Sequence, residues 1–444
     1  MRSGKCYNKR ENETFPLSFF AGERSHKKSE QGTDNMQLKE LYGNAADAKA
    51  FSARVSALAE QFERLTGSAP EAWFSSSGRA EIIGNHTDHN HGRVIVAAIG
   101  CDILAAVKKR EDGVIRISSA GFPSFELKVS DLAARPSEKG RSAALARGVV
   151  KGIADRGYTV GGFDACTEST IFRGAGVSSS AAFELLVCEI LNSLYLNGAL
   201  DPVTKAIISQ YAENEYFGKP CGLLDQSGIS LGGMNRIDFE DPAVPVIAGL
   251  KAPEGYTLVI TNTGGSHAKL TAHYAAIKEE MREVAAFFGA RVLREVPFAE
   301  FFGGIPALRK KVSERAILRA FHFFEENERV DAAAAALSAG NTAAFLDAVN
   351  KSGESSLNCL QNCFVPGSAE QPVSLAIHMS ERLIKDGAVR VHGGGFAGTI
   401  LAYLAEGEAE GYKAEMAKVF GAENVFGAPV RVHGACRIDP AELI

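Results

Sequence analysis

The chain has 444 residues, of which 45% are hydrophobic, and this predicts a folded protein with a large core and about two or three domains. A net charge of -5, without a long run of Lys or Arg, argues against nucleic acid and anionic membranes as partners. The eight cysteines are scattered, no apolar run approaches about 20 residues and no signal-peptide pattern is present, so we expect a cytoplasmic protein with reduced thiols.

Residues 1–36 are rich in Lys, Arg, Glu, Ser and Asn and show little periodicity, which is typical of a disordered extension. The composition changes at Met36, so we expect folded structure from residue 37 onward and take Met36 as the candidate start of translation. A chain that begins there should fold and remain active.

Apolar residues repeat at steps of three and four between residues 45 and 67, which predicts an amphipathic helix that ends at Gly67. Between residues 94 and 129, the runs VIVAAI, ILAAVKK, VIRISS and FELKV are separated by Gly, Asp or Pro and predict short strands of a meandering sheet. The later pattern predicts helices over residues 180–196, 203–217 and 275–288 and a strand over 256–260. We place a domain boundary near residue 250.

Residues 174–180 (GAGVSSS) lie where the helix predicted at residue 180 begins. Small residues at a helix start let backbone N–H groups and the helix dipole face an anion, and serine hydroxyls add donors or bind Mg²⁺. A serine N-cap after a flexible turn would give the same pattern. The sequence has no G-x-x-x-x-G-K-[ST], H-R-D or D-F-G motif, so the Walker-type and protein-kinase routes to phosphoryl transfer are absent. The candidate phosphate-binding residues are Gly174, Ala175, Gly176, Val177, Ser178, Ser179 and Ser180.

Two other glycine-rich motifs accompany this segment: residues 78–92 (GRAEIIGNHTDHNHG) and residues 391–398 (VHGGGFAG). Taken in this order, the three motifs resemble those of the GHMP small-molecule kinases, and of their galactokinase branch most closely. The resemblance covers roughly residues 40 to 444. It implies an α+β, two-domain GHMP kinase fold, with a ribosomal-protein-S5-like domain over residues 37–250 and a ferredoxin-like domain over 251–444. Residues Gly393, Gly394 and Gly395 would then support the active site from the second domain.

The resemblance also implies roles in phosphoryl transfer, which needs a positioned hydroxyl, a proton acceptor and cations that balance charge. The segment 218–226 (GKPCGLLDQ) is similar to the one that carries the family's catalytic aspartate, which makes Asp225 the candidate base. Arg79 matches the arginine that stabilises the transition state and keeps the aspartate ionised. Ser180 and Glu213 match the ligands of Mg²⁺. Without the resemblance, Asp225 would read as a helix cap and Glu213 as a solvated helix residue.

The sugar pocket is implied in the loop of the first motif. Relatives commonly read Gly-Glu-His-Thr-Asp-Tyr-Asn there, whereas this chain has Asn85 for the glutamate and His89 for the tyrosine. The glutamate is expected to contact the hydroxyl on carbon six, so its loss removes a negative charge and adds a donor. Galactose remains the first candidate substrate, with galacturonate and arabinose as rivals. The candidate sugar-binding residues are Asn85, His86, Thr87, Asp88 and Tyr274.

Three alternatives stay open. Gly393, Gly395 and Gly398 fit G-x-G-x-x-G, although residues 399–404 are too short for the helix of a dinucleotide fold, and a tight turn between strands would also explain them. His86, His89 and His91 could gather around zinc. A relative that senses sugar and ATP with little turnover is a third alternative, which the presence of both Arg79 and Asp225 disfavours. The sequence thus predicts a galactose 1-kinase that uses ATP and Mg²⁺.

Overall fold

The computed structural model describes residues 36–43, 46–171, 176–264 and 270–443, and for Thr271 the backbone alone. The predicted extension over residues 1–36 lies outside this range except for Met36. From Met36 onward the chain clusters as one compact unit. Among the described residues, no helix is both long and apolar enough to cross a membrane.

A mixed sheet is built mainly from the first half of the chain. Its strand order is β12-β1-β2-β5-β3-β4, and β6 pairs with the free part of β2 and carries β7 on its other edge. All of these pairs are antiparallel except β3 with β5. The strands are β1 (Ala72–Ile83), β2 (Arg93–Arg110), β3 (Val114–Ser119), β4 (Phe125–Lys128), β5 (Gly162–Ser169), β6 (Met234–Asp238), β7 (Val246–Leu250) and β12 (Cys436–Ile438).

The prediction of separate short strands over residues 94–109 was wrong, because β2 runs unbroken from Arg93 to Arg110. Asp102, which the sequence pattern predicts to be a break between two strands, is fully buried within this strand. Its carboxylate accepts hydrogen bonds from Tyr42 Oη at 2.7 Å and Arg54 Nη2 at 2.8 Å. The charge is therefore compensated inside the fold, and the strand can continue through it.

A second sheet carries the later part of the chain, with the antiparallel order β11-β8-β10-β9. Its strands are β8 (Tyr256–Asn262), β9 (Gly387–His392), β10 (Thr399–Ala405) and β11 (Val425–Gly427). The strand predicted at 256–260 is confirmed, as is the α+β class. The chain passes from the first sheet to the second between Leu250, the end of β7, and Tyr256, the start of β8. Near its C-terminal end it returns to the first sheet, where β12 pairs with β1. The division into domains 37–250 and 251–444 stays a prediction.

Helices cover these sheets, and the predicted helices are confirmed within a few residues. The helix after Asp47 begins where that carboxylate accepts the N–H groups of Lys49 and Ala50, and it ends at Gly67 in the left-handed conformation. The α-helices are α1 (Leu38–Tyr42), α2 (Ala48–Thr66), α3 (Ser142–Ala154), α4 (Ser179–Tyr195), α5 (Pro202–Tyr211), α6 (Leu224–Leu231), α7 (Thr271–Phe287), α8 (Phe298–Leu308), α9 (Glu314–Ser338), α10 (Thr342–Ser355), α11 (Pro372–Leu383), α12 (Ala409–Phe420) and α13 (Pro440–Leu443).

The helix predicted over residues 203–217 changes its winding part of the way along. It is α-helical to Tyr211 and continues as a π-helical segment, Ala212–Phe217. Such segments are rare and occur frequently at functional sites. This one carries Glu213 and ends at Gly218, whose φ of 82° is in the left-handed region.

Candidate active site

Arg79, Ser178 and Asp225 meet although they lie far apart in the sequence. Arg79 stands near the end of β1, Ser178 directly before α4, and Asp225 in the first turn of α6. Arg79 Nε donates to Asp225 Oδ1 at 2.8 Å, and Arg79 Nη2 forms an ion pair with the same oxygen at 2.7 Å. Ser178 Oγ donates to Asp225 Oδ2 at 2.7 Å. The structure therefore brings together the arginine and the aspartate that the sequence singled out, and adds a serine to them.

This arrangement keeps Asp225 ionised. Burial alone would raise the pKa of the Asp225 carboxyl. The charges of Arg79 and Lys219, together with the hydrogen bonds from Ser178 and Arg79, outweigh burial and lower the pKa below its usual value. The side chain is 22% exposed, so the ionised carboxylate can still be reached by a ligand.

The segment 176–180 is held between the two sheets. Arg79 N–H donates to Val177 O at 3.1 Å, and Arg79 Nη1 donates to Gly176 O. Gly176 has φ +66°, and a Cβ there would lie 2.4 Å from Thr399 Oγ1 in β10. The glycine is therefore required by both backbone conformation and space. Gly174 and Ala175, also predicted to bind phosphate, lie outside the described residues.

The candidate metal ligands lie side by side. The prediction that the serines stand at a helix start is confirmed, because α4 begins at Ser179. Ser180 Oγ donates to Glu213 Oε1 at 2.9 Å, and Glu213 is fully buried in the π-helical segment. A hydroxyl and a carboxylate that converge in this way form a hard oxygen donor set of the kind that Mg²⁺ prefers. The two residues thus fit a Mg²⁺ site that nucleotide phosphates would complete.

Lys219 and Gln226 also contact Glu213. Lys219 Nζ lies 3.0 Å from Glu213 Oε1, and Gln226 Nε2 lies 2.8 Å from Oε2. Gln226 reaches Glu184 Oε2 as well, at 3.2 Å. Burial and then the nearby Glu213 charge raise the pKa of Glu184 well above its usual value. Glu184 therefore holds its proton more tightly than an ordinary glutamate does.

Asn85 takes part in a buried network. Its Nδ2 donates to Glu81 Oε1 and to Gly393 O, both at 2.7 Å, and its Oδ1 accepts from Asn362 Nδ2 at 2.8 Å. The side chain is fully buried. Arg390 Nη2 lies 3.1 Å from the same Glu81 oxygen. Both donors of the Asn85 amide are thus engaged with protein, and direct contact between Asn85 and a sugar stays a prediction.

His86 and Tyr274 both reach the glycine motif that follows β9. His86 Nε2 lies 3.1 Å from Gly394 O, and Tyr274 Oη donates to Gly395 O at 2.9 Å. A Cβ on Gly394 would lie 2.5 Å from Tyr274 Cε1, so only glycine allows the ring this close. Burial lowers the pKa of His86, which favours the neutral imidazole.

Asp88 lies against the segment that carries Asp225. A Cβ on Gly222 would stand 1.7 Å from Asp88 Oδ2, so this approach depends on glycine. Burial and then the Asp225 charge raise the pKa of Asp88 to about 6. Thr87 is buried and donates to the carbonyls of Gly84 and Arg93 within the loop. Asp88 thus stands beside the catalytic candidate, and Thr87 takes part in closing the turn.

The zinc and dinucleotide alternatives find no support in the described part of the chain. No three His, Cys, Asp or Glu side chains there converge as metal ligands. Residues 393–398 join β9 to β10, which pair antiparallel as a hairpin. A dinucleotide fold would need a helix in the place of β10, so the tight turn is the correct interpretation of G-x-G-x-x-G here.

Sequence reasoning missed several residues of the site. Glu81 lies within the motif of residues 78–92 and Lys219 within the segment 218–226, but the sequence pattern predicts a role for neither. Arg390 and Asn362 come from distant parts of the chain and had no signal in their local sequence. Their polar partners are visible only once β1 lies next to β9.

Comparisons with known proteins identify the family of this chain. Two family models match: "Galactokinase galactose-binding signature" over residues 60–109 and "GHMP kinases N terminal domain" over residues 144–233. A galactokinase of Streptomyces coelicolor is 34% identical over 303 residues, which cover 67% of this chain and 77% of that protein.

Solved structures share the fold. The crystal structure of Lactococcus lactis galactokinase complexed with galactose matches with a TM-score of 0.76 and 24% identity, covering 87% of this chain and 100% of that one. Methanococcus jannaschii mevalonate kinase matches with a TM-score of 0.58 and 16% identity, over 81% and 98% of the two chains. The GHMP kinase fold expected from the motifs is confirmed.

Proposed function

Because this chain belongs to the galactokinase family of GHMP kinases, we propose that it phosphorylates the anomeric C1 hydroxyl of D-galactose with ATP, giving galactose 1-phosphate. The observation that carries this proposal is the contact of Arg79 and Ser178 with the two carboxylate oxygens of Asp225. An ionised aspartate beside a fixed guanidinium supplies what phosphoryl transfer to a hydroxyl requires.

In this proposal, Asp225 orients the sugar hydroxyl and accepts its proton late in the reaction. Its lowered pKa makes it a weak base. A weak base suffices, because the phosphoryl group passes through a loose transition state in which the nucleophile bears little charge until the bond forms. Arg79 faces the charge that develops on the transferring group, and holds Asp225 in one orientation.

Residues 174–180 would hold the phosphates of ATP, and Ser180 and Glu213 would hold Mg²⁺. When bound, Mg²⁺ neutralises phosphate charge and supports the departure of ADP. The support from this chain is the 2.9 Å contact between Ser180 Oγ and Glu213, at the start of α4 where the helix dipole favours an anion.

His86, Asp88 and Tyr274 would bind the sugar. We favour galactose over galacturonate because a carboxylate, that of Glu81, lies 2.7 Å from Asn85, and Arg390 pairs with it. The carboxyl group that is missing from position 85 is therefore present one side chain away, and Arg390 is already paired with it, so this guanidinium is not free to select an acidic sugar.

The proposal is tested by ADP release with Mg·ATP and galactose, galacturonate, arabinose, N-acetylgalactosamine or glucose, comparing kcat/KM. We expect galactose to lead. A higher kcat/KM with galacturonate or arabinose would contradict the substrate assignment while leaving the reaction type intact. Galactose binding by calorimetry, without turnover of any sugar, would instead identify a sensor.

A further inference from the structure

Lys219 stands at the active site and has no role in the function proposed above, on which the following inference rests. Its ammonium bonds to Glu213 Oε1, the same oxygen that accepts from Ser180. Its charge also lowers the pKa of Asp225 and acts on Tyr274. Lys219 therefore contacts the candidate metal ligand, and its charge acts on the candidate base and the candidate sugar residue.

The Glu213 carboxylate is fully occupied by donors. Oε1 accepts from Ser180 and Lys219, and Oε2 accepts from Gln226 at 2.8 Å and from Cys221 Sγ at 3.3 Å. A carboxylate offers about four acceptor sites. Glu213 can ligate a divalent cation only if one of these donors leaves.

Of the two nitrogen donors, Lys219 can leave Glu213 at a lower free-energy cost than Gln226. Its side chain is 59% exposed, so water can solvate the released ammonium, whereas Gln226 is fully buried and would leave an unpaired amide. The backbone does not need to move, because the N–H groups of Gly218 and Lys219 both remain on Glu213 O, at 3.0 Å and 3.1 Å. The flexible stem pivots from a fixed point.

The released ammonium needs another anion nearby. The charge of Asp225 is already compensated by the Arg79 guanidinium, and Ser178 donates to its second oxygen. The remaining candidate is the terminal phosphate of the nucleotide, which must approach the sugar hydroxyl beside Asp225. We propose that Lys219 leaves Glu213 when the nucleotide and its metal bind, and that its ammonium then contacts the terminal phosphate of ATP as a second cation beside Arg79.

The test measures nucleotide binding by calorimetry in the absence of sugar, with Mg·ADP and with the nonhydrolysable analogue Mg·AMPPNP. Lys219→Met removes the ammonium and keeps a similar stem. We expect it to weaken the binding of Mg·AMPPNP by about tenfold or more, the usual size for a hydrogen bond between charged groups. The binding of Mg·ADP should not weaken, because its metal no longer has to displace the ammonium from Glu213. Lys219→Arg should recover part of the difference.

Lys139→Met is the matched control, because the exposed Lys139 packs its stem against Gly218 and has no bond to Glu213. It should leave the affinities for both nucleotides unchanged. Equal weakening of the two nucleotides by Lys219→Met, or no weakening of either, would overturn the proposal, as would a Lys139→Met variant that behaves like Lys219→Met. Since no sugar is present, this result is independent of whether galactose is the substrate.

Discussion

Arg79 directs two nitrogen atoms at a single oxygen of Asp225, at 2.8 Å and 2.7 Å, and leaves the second oxygen to Ser178. A planar guanidinium presents two nitrogen atoms to one oxygen in a fixed geometry, which a lysine ammonium could not do. The pair thus fixes both the charge and the direction of the candidate base.

The first prediction concerns this pair. Asp225→Asn should lower kcat by about 10²- to 10⁴-fold, because the proton acceptor is lost. Arg79→Lys should also lower kcat, by about 10²-fold, since the charge remains but the fork does not. Mg·ADP affinity should stay within about threefold for both variants. Steady-state kinetics and calorimetry measure these effects, and a kcat for Asp225→Asn near that of the wild type would refute the role of Asp225.

The second prediction concerns pH. The pKa of Asp88 is raised to about 6, first by burial and then by the Asp225 charge, so this carboxyl takes up a proton as the pH falls through 6. If the ionised form accepts sugar hydroxyls, galactose should bind about tenfold more weakly at pH 5 than at pH 7. The same raised pKa means that Asp88 favours the folded state at low pH and that this contribution is lost as the pH rises through 6.

The variant Asp225→Asn distinguishes the protonation of Asp88 from a general loss of folded protein at low pH. The substitution removes a negative charge that raises the pKa of Asp88. The pH at which galactose affinity is half lost should therefore move below 6. Calorimetric titrations of galactose between pH 5 and 7.5 would locate the midpoint in both proteins. A midpoint that stays in place or moves upward would contradict the assignment to Asp88.

The third prediction uses a glycine. Gly222→Ala would place a Cβ 1.7 Å from Asp88 Oδ2, so Asp88 must move. We expect the KM for galactose to rise by about tenfold or more, in line with about 1–3 kcal/mol for overpacking. Gly249→Ala is the control, because the nearest atom to its Cβ, Asn235 Oδ1, is 3.9 Å away. An unchanged KM in Gly222→Ala would mean that Asp88 does not bind the sugar.

The fourth prediction concerns the partners Glu81 and Asn85. Asn85→Glu restores the residue common in relatives but sets two buried carboxylates side by side, which should lower the free energy of unfolding by about 3 kcal/mol. Glu81→Asn should also destabilise, because Arg390 loses its carboxylate. The double variant keeps one carboxylate in the cluster. Its decrease in the free energy of unfolding should therefore be smaller than the sum of the decreases in the two single variants, by about 1–3 kcal/mol.

Urea unfolding of the four proteins gives this coupling directly. If the decreases in unfolding free energy of the two single variants add up to that of the double variant, the 2.7 Å contact between Glu81 and Asn85 carries no interaction energy. Galactose turnover by the double variant would report whether the carboxylate can stand at either position.

Local patterns predicted the elements well where a single period or a single cap decided the outcome. The helix ending at Gly67 and the strand at residue 256 were both found, because periodicity and a glycine stop are properties of neighbouring residues. Local patterns failed at Asp102, where polar partners from α1 and α2 let a charged residue stand inside a strand. The π-helical turn at Glu213 was missed for a similar reason, since no propensity distinguishes it from α-helix.

By itself, the sequence determined the fold class and the family, because glycine-rich motifs keep their pattern in short contiguous segments. It also predicted Arg79, Asp225, Ser180 and Glu213 as site residues through the resemblance to that family. Only the tertiary structure decided what these residues touch. The pairing of Asn85 with Gly393 and Asn362, and of Arg79 with Asp225, depends on how β1, α6 and the β9–β10 hairpin pack together. Hydrogen bonds and charge act through distances of about 3 Å in space, and residues hundreds of positions apart acquire those distances only when the chain is folded.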